Sequence, residues 1–503
     1  MGGGTLCWQN TLLQLYRDKG ETFFKELRGS FSGALFDKAK DKWIIYGDQI
    51  GSKFTFYAKI GDFFCCSEVM GKMYELLKEN NIEYHLSIEN AYLMLTYGYM
   101  IDDRTLCEEI KKIQPGCYIT YQNGKVEEHR YYMLDNTPDD SIDEKKGIEI
   151  IDHYFRQAIQ REFEKDVDYG YKHAVSLSGG MDSRMTSYVA NDLGFTHQLN
   201  LTFSQSEYLD QTLPMLMARD LKHEWLYKNL DNGIWLFDVD EVNQTTGGNL
   251  LYYGAAHGNS LMKYVNFERL SMLHSGQLGD IIIGSWINAN VKDLPYISGE
   301  KGSSQKYIGK IKDIPLKLNL KKELGCFYYR GFNGTNNGLQ CIYNFTETCS
   351  PFLDLDLVEN ALRIPIELRQ KHRLYNKWVL AKYPQAAKYV WETTGRKISA
   401  KTIEIAGHEL PIANIPSRIL LHAKHKLGLA NLEGDDSIKH MNPMAYYIKT
   451  NTELSAFLDS YFQYADKIND NELRNVMFDI RDHGTGMEKV QVTTLLSALK
   501  LYF

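Results

Sequence analysis

Tyr171-Lys-His-Ala-Val-Ser-Leu177 runs into Ser178-Gly179-Gly180-Met181-Asp182-Ser183, and an apolar-periodic stretch from about Met181 to Leu193 follows. This reads as a buried strand, a glycine turn and a helix. Glycine has no Cβ, so the turn can tighten and aim its amide hydrogens at an anion. The helix behind it adds the positive end of its dipole, and Ser178 and Ser183 add hydroxyl donors. Asp182 alone would repel a phosphate. It makes sense as a ligand to Mg²⁺, a hard ion that takes carboxylates together with phosphate oxygens.

Working outward, Gly147 to Phe163 is helical, Leu199 to Phe203 is a strand, Leu209 to Leu221 is a helix, and a further strand ends at Leu273-His274. Strands alternating with helices at this pitch predict a parallel sheet with crossovers. From about residue 350 the pattern is largely helical. Upstream, residues 11–28 read as a helix broken at Gly20, and short runs at Phe31–Phe36, Trp43–Tyr46, Phe54–Tyr57 and Phe63–Cys66 read as antiparallel strands. Cys117 to Tyr121 and Lys125 to Tyr131 flank Asn123-Gly124, the strongest hairpin signal in the chain. The expected fold is α/β and α+β in two domains. Residues 1–133 form a layered antiparallel domain, 134–146 an acidic linker, 147–400 a doubly wound parallel-sheet domain and 401–503 a helical extension.

A chain of 503 residues carrying 57 Lys+Arg against 64 Asp+Glu, net −7, has no basic field for nucleic acid or for an anionic membrane. Met1-Gly-Gly-Gly-Thr-Leu-Cys7 lacks the charged and apolar regions of a signal peptide, and Leu6 stands where a myristoylation motif needs Ser or Thr. No apolar run approaches the ~18 residues of a membrane span. The eight cysteines form no CxxC pair and no Cys/His cluster with zinc spacing. A cytoplasmic protein with free thiols is expected. The oligomeric state stays open, a homodimer included.

Ser178–Ser183 matches the SGGxDS signature of the N-type ATP pyrophosphatases, and the surrounding sequence resembles the asparagine synthetase family. In that family a second loop follows a later strand, and Ser275-Gly276-Gln277-Leu278-Gly279-Asp280 resembles it with one extra residue before Gly279. Ser350-Pro-Phe-Leu-Asp354, Arg363-Ile-Pro365, Lys377-Trp378 and Tyr383-Pro384 continue the likeness. The resemblance implies ATP and Mg²⁺ as cofactors, with Asp182 and Asp280 holding the metal. It places Ser178, Gly179, Gly180, Ser183, Thr202, Ser275 and Gly276 around the nucleotide, and Asp210 at the head of the next helix. The implied reaction adenylates a small-molecule carboxylate, aspartate or a uronic-acid sugar, releases pyrophosphate and forms an amide with ammonia.

Two positions depart from that pattern. Gln277 stands where the family has a glutamate, and Thr394 falls near the family's late lysine, leaving Lys397 or Arg396 as substitutes. Leu27-Arg-Gly29 to Phe36-Asp37, Asp48 to Gly51 and Pro115-Gly116 resemble the later part of the family's glutaminase domain. That domain uses an N-terminal cysteine as nucleophile, whereas the first cysteine here is Cys7. Glutaminase activity is therefore not expected, and free ammonia or a separate glutaminase is the expected nitrogen source. An adenylating cyclase of the same fold and a catalytically decayed, nucleotide- or partner-binding homologue remain alternatives.

Overall fold

The computed structural model describes residues 8–298, 304–405, 408–417, 419–420 and 437–503; Met1, Gly2, Leu6 and Cys7 lie outside them. The alternating runs of the first part form strands β1 (Ser32–Asp37), β2 (Lys42–Gly47), β3 (Phe56–Ile60), β4 (Phe63–Ser67), β5 (Ile110–Lys112), β6 (Cys117–Gln122) and β7 (Lys125–Arg130). They assemble as two antiparallel sheets, β1-β2-β6-β7 and β4-β3-β5. Because side chains alternate across a strand, neighbouring residues serve different layers. Ile44 and Tyr46 of β2 pack with Phe23 and Phe24 of the 3₁₀ turn Gly20–Glu26, while Ile45 meets Tyr57 of the other sheet together with Ile119. Phe56 and Ala58 of β3 face the opposite way, toward Met70, Met73 and Leu77 of the helix Met70–Glu79. The result is a helix–sheet–sheet–helix stack. The β6–β7 hairpin closes through Asn123 (φ 50°) and Gly124 (φ 73°), the left-handed pair that a two-residue turn requires.

The remaining strands are β8 (Lys172–Ser176), β9 (Gln198–Ser204), β10 (Glu224–Asn229), β11 (Leu270–His274) and β12 (Thr348–Cys349), with a hairpin of β13 (Thr402–Ile405) and β14 (His408–Pro411). The first five form one parallel sheet in the order β10-β9-β8-β11-β12. One face is covered by the helix Glu144–Tyr169 through Ile151, Phe155, Ile159 and Phe163. On the other, Leu261 and Met262 of the helix Tyr252–Met262 pack with Ala174, Leu201 and Leu273. The helix Leu209–Leu221 spans the residues its periodicity predicts.

Among the described residues the region after residue 350 is largely helical, as expected, with the β13–β14 hairpin at the start of the segment read as a helical extension. Two expectations change. The polar stretch 134–146 is laid against the body of the protein: Leu134 and Ile142 are buried, and the Leu134 amide donates to the Tyr328 hydroxyl at 3.0 Å. The largest apolar cluster draws on side chains from Ile50 to Leu499, so the two regions of the chain share a core. Among the described residues no helix is long and apolar enough to cross a membrane.

The helix Gly486–Leu501 is buried on every side from Val490 to Leu499 and bonds to both regions, Gln491 to the Met94 carbonyl and Ser497 to Asp240. Its start carries a capping box: Thr485 Oγ1 accepts from the Glu488 amide (3.2 Å), and Glu488 accepts from the Thr485 amide (2.8 Å). Thr485→Ala should lower stability by about 1 kcal/mol, read as a lower urea midpoint with an unchanged slope.

Candidate active site

The two loops singled out in the sequence meet at one end of the parallel sheet. Ser178–Asp182 leaves the C-terminal end of β8 and Ser275–Asp280 that of β11, and the two strands are neighbours. From β8 the chain proceeds through β9 and β10 on one side and returns through β11 on the other, so a crevice opens between the two loops. Gly276 sits against the first loop. A Cβ there would stand 2.2 Å from the Ser183 amide nitrogen and 2.5 Å from the Asp182 carbonyl carbon. Thr186 ties the loops further, donating to the Ser275 carbonyl at 3.2 Å.

This approach brings Asp182 and Asp280 together. Asp182 Oδ2 accepts from the Asp280 amide (2.9 Å) and Oδ1 from the Tyr375 hydroxyl (2.8 Å); Asp280 Oδ2 accepts from Trp286 Nε1 (2.7 Å). Burial, and then the charge of Asp280, push the Asp182 carboxyl up to about 8, against the opposing pull of the Tyr375, Asp280 and Gly279 hydrogen bonds. Two carboxylates held this way call for positive charge, and an all-oxygen pair suits a hard dication such as Mg²⁺.

In the glycine turn, Ser183 Oγ accepts from the Ser178 amide (2.9 Å), and Ser178 Oγ accepts from the Gly180 amide (3.2 Å). The Gly179 amide donates to Asp210 Oδ1 at 2.7 Å, so the turn already binds an anionic oxygen. Burial first, and the Glu392 charge second, push Asp210 up to about 6. Beneath the turn Arg184 is fully buried, and its guanidinium donates to the carbonyls of Gly179 (2.8 Å), Val390 (2.7 Å) and Ala386 (3.1 Å). It thereby fixes the segment leading to Trp391 and Thr393 against the turn.

Both loops face a cavity of about 1000 Å³. One end is apolar, with Leu201, Phe203, Met262, Leu273 and Ile342. There the His257 imidazole lies over Phe203 with ring centroids 4.7 Å apart and planes 20° from parallel. Burial pulls His257 down to about 4, so the ring is neutral near pH 7. The other end has Tyr97, Tyr99, Gln277, Arg330 and Thr335, with the Arg330 guanidinium 4.1 Å from the centre of the Trp286 ring.

Of the residues expected here, Ser178, Gly180, Asp182, Ser183, Ser275, Gly276, Gln277 and Asp280 line the cavity. Gly179 lies in the same turn with its amide turned to Asp210. Thr202 does not line the cavity. Its neighbours Leu201 and Phe203 do, and by strand alternation Thr202 points to the other face, donating to the Leu177 carbonyl (2.8 Å) and accepting from Trp225 Nε1 (3.0 Å). Lys397 is exposed and outside the cavity lining, and Arg396 is held by Asn414 Oδ1 at 2.8 Å, so neither substitute for the family's lysine stands at the site. Gln277 donates its amide to the Thr335 carbonyl. Sequence reading missed His372 and Tyr375. Lys371 and His372 both adopt left-handed φ (57° and 58°), which turns the His372 ring into the cavity against the edge of Trp391, 5.4 Å between centroids. Burial lowers the His372 pKa, against the raising effect of Asp280. No local sequence signal announces this bend.

The family model described as a glutamine amidotransferase domain matches residues 8–132. Asparagine synthetase B [glutamine-hydrolyzing] of Escherichia coli is 24% identical over 182 residues, 35% of this chain and 26% of that protein. Putative asparagine synthetase [glutamine-hydrolyzing] 1 of Methanocaldococcus jannaschii is 21% identical over 374 residues, 71% of this chain. The chain thus spans about a quarter and 59% of the lengths of these two relatives. Among solved structures, a glutamine-dependent NAD⁺ synthetase from Acinetobacter baumannii in complex with ADP aligns over 55% of this chain and 66% of its own, at 10% identity and a TM-score of 0.20, too slight a likeness to bear on the fold. The chain is thus similar to asparagine synthetases, and its residues 8–132 match the glutamine amidotransferase domain.

Proposed function

We propose that the chain is an ATP-dependent ligase that adenylates a small-molecule carboxylate and passes the acyl group to ammonia. The observation that carries this reading is the junction of Asp182 and Asp280 beside a glycine turn at the mouth of a large cavity. In this proposal the adenine ring takes the apolar end beside Phe203 and His257, and the triphosphate lies along Ser178–Ser183 and Ser275-Gly276. Asp182 and Asp280 would hold Mg²⁺, which supplies charge neutralisation for the departing pyrophosphate. The carboxylate substrate enters from the end lined by Arg330, whose guanidinium offers the planar donors a carboxylate or sugar acid needs. Attack of the substrate oxygen on the α-phosphorus breaks the bond to pyrophosphate; ammonia then attacks the acyl carbon and AMP leaves. The protein's part is orientation, which in ideal cases supplies roughly 7–11 kcal/mol of the barrier.

The purified chain, given ATP, Mg²⁺, hydroxylamine and a panel of carboxylates including aspartate and hexuronic acids, is expected to release pyrophosphate and accumulate a hydroxamate with one class of acid. No hydroxamate and no pyrophosphate above the acid-free rate would remove the ligase reading. The hydrogen bond that ties Gln277 to Thr335, with Lys397 outside the cavity, favours a second reading, a nucleotide-binding homologue without turnover. In that case Mg-ATP at about 100 times its Kd still stabilises the fold by about 2.7 kcal/mol, with no product formed.

A further inference from the structure

The sequence shows no zinc spacing, yet the fold collects a set of buried and half-buried metal-type donors behind the second loop. Glu162 and Asp166 lie four residues apart on the helix Glu144–Tyr169 and so share a face. They face His173 of β8, His274 at the end of β11 and Cys349 of β12. Cys349 Sγ is 3.1 Å from Glu162 Oε2 and 3.4 Å from His274 Nδ1, and His274 Nδ1 is 3.3 Å from Glu162 Oε2. The Met272 thioether is 3.0 Å from the same sulfur. In a tetrahedral zinc site, with bonds of 2.0–2.3 Å, ligand atoms sit about 3.3–3.7 Å apart, so the three separations already approximate such a face.

The hydrogen bonding points the same way. His274 Nε2 is 2.7 Å from Asp166 Oδ2, which also takes His173 Nδ1 at 2.7 Å. His274 thus turns Nδ1 toward Glu162 and Cys349 with the Asp166 carboxylate behind Nε2, the arrangement that orients a metal-binding imidazole once a cation replaces the proton on Nδ1. A groove of about 750 Å³ runs beside the set, lined by Asp166, Met272, Thr346 and Glu347.

We infer that Glu162, His274 and Cys349 form a binding site for a zinc-class divalent cation, with Met272 or a water as fourth ligand, oriented by Asp166. The Asp166–His173–His274 set is its hydrogen-bonded support, since both ring nitrogens meet a single oxygen. Binding would displace the thiol proton and the proton on His274 Nδ1 to solvent. The site would be structural: the Cys349 carbonyl accepts from both the amide (2.8 Å) and the hydroxyl (3.0 Å) of Ser275, and β12 is only two residues long. An ion on Cys349 therefore pins the edge strand on which the second loop rests.

Cobalt(II) is the probe, added without nucleotide to the full chain after chelator treatment. The expected result is a near-ultraviolet thiolate-to-cobalt charge-transfer band, bleached by Zn²⁺. Cys349→Ser should abolish the band, Cys341→Ser should keep it, and Asp166→Asn should weaken binding about 10–100-fold. Cobalt on the carboxylates Asp182 and Asp280 would give no thiolate band, so this outcome is independent of the ligase reading. Should Cys349→Ser fail to fold, alkylation of the native wild-type chain decides: Zn²⁺ protects Cys349 if the site exists. No thiolate band in the wild type, a band that survives Cys349→Ser, or alkylation of Cys349 unaltered by Zn²⁺ overturns the inference.

Discussion

Replacing Asp182 by asparagine is expected to cut ATP-dependent pyrophosphate release by about a hundred- to a thousandfold, the scale of a lost electrostatic anchor at a reacting centre, without making the folded chain less stable. Both halves follow from one geometry. Asp182 takes hydrogen bonds from Tyr375 and the Asp280 amide while facing the Asp280 carboxylate, and its carboxyl is raised to about 8 by burial and by that neighbouring charge. An unfolded aspartate titrates near ~3.9. The folded pKa lies above the unfolded one, so the folded state keeps a proton that the unfolded chain gives up. Stability from this group is complete below about pH 4 and is lost as pH rises toward 8. Wild-type melting temperature should therefore fall between pH 5 and 8 more steeply than that of Asp182→Asn, and Mg²⁺ should restore it at pH 8 in the wild type alone. Pyrophosphate assays and thermal melts across that range test the pair of claims. Release at the wild-type rate by Asp182→Asn would falsify the assignment of this residue.

Gly276→Ala carries the second large effect. The added Cβ meets backbone atoms, Ser183 N at 2.2 Å and Asp182 C at 2.5 Å, which cannot rotate aside as a side chain could. One loop must move. Forced overpacking of this kind typically costs 1–3 kcal/mol, and a shift near 1 Å at a reacting centre can cost about a hundredfold in rate. We expect a lower denaturation midpoint and turnover reduced by about two orders of magnitude. Gly309→Ala is the control, because its Cβ would have nothing within 4 Å and the residue lies outside the cavity. Equal behaviour of the two variants would sink the claim that close loop contact builds the site.

The strand–turn–helix at Ser178 was legible because its chemistry is local: glycines where backbone must come close, an acid where an ion is wanted. The Asn123-Gly124 hairpin was legible for the same reason. The second loop at Ser275 was reached only through its resemblance to the family's loop. What escaped the sequence is set by facing and by distance. Thr202 was expected at the nucleotide, and the two-residue alternation of β9 turns it away while Leu201 and Phe203 face in. Lys397 follows a turn whose direction no residue type dictates. The helix Ile88–Tyr97 is buried from Asn90 to Tyr97, so it carries no polar stripe to reveal its period. The donors around Cys349 come from one helix and three strands, Glu162 and Cys349 being 187 residues apart, a separation that no spacing rule spans.

The order of the parallel sheet has a kinetic meaning. β8, β9 and β10 pair with near neighbours in the chain, but β8 also waits for β11, and Asp182 meets the Asp280 amide across 98 residues. Non-local parallel pairing is the slow kind, because the loop-closure entropy is spent before the contacts form. A refolding chain should regain helical signal well before the Asp182–Asp280 contact forms, so any divalent-ion affinity proposed for these aspartates would be a late milestone of folding and a strict measure of its completion.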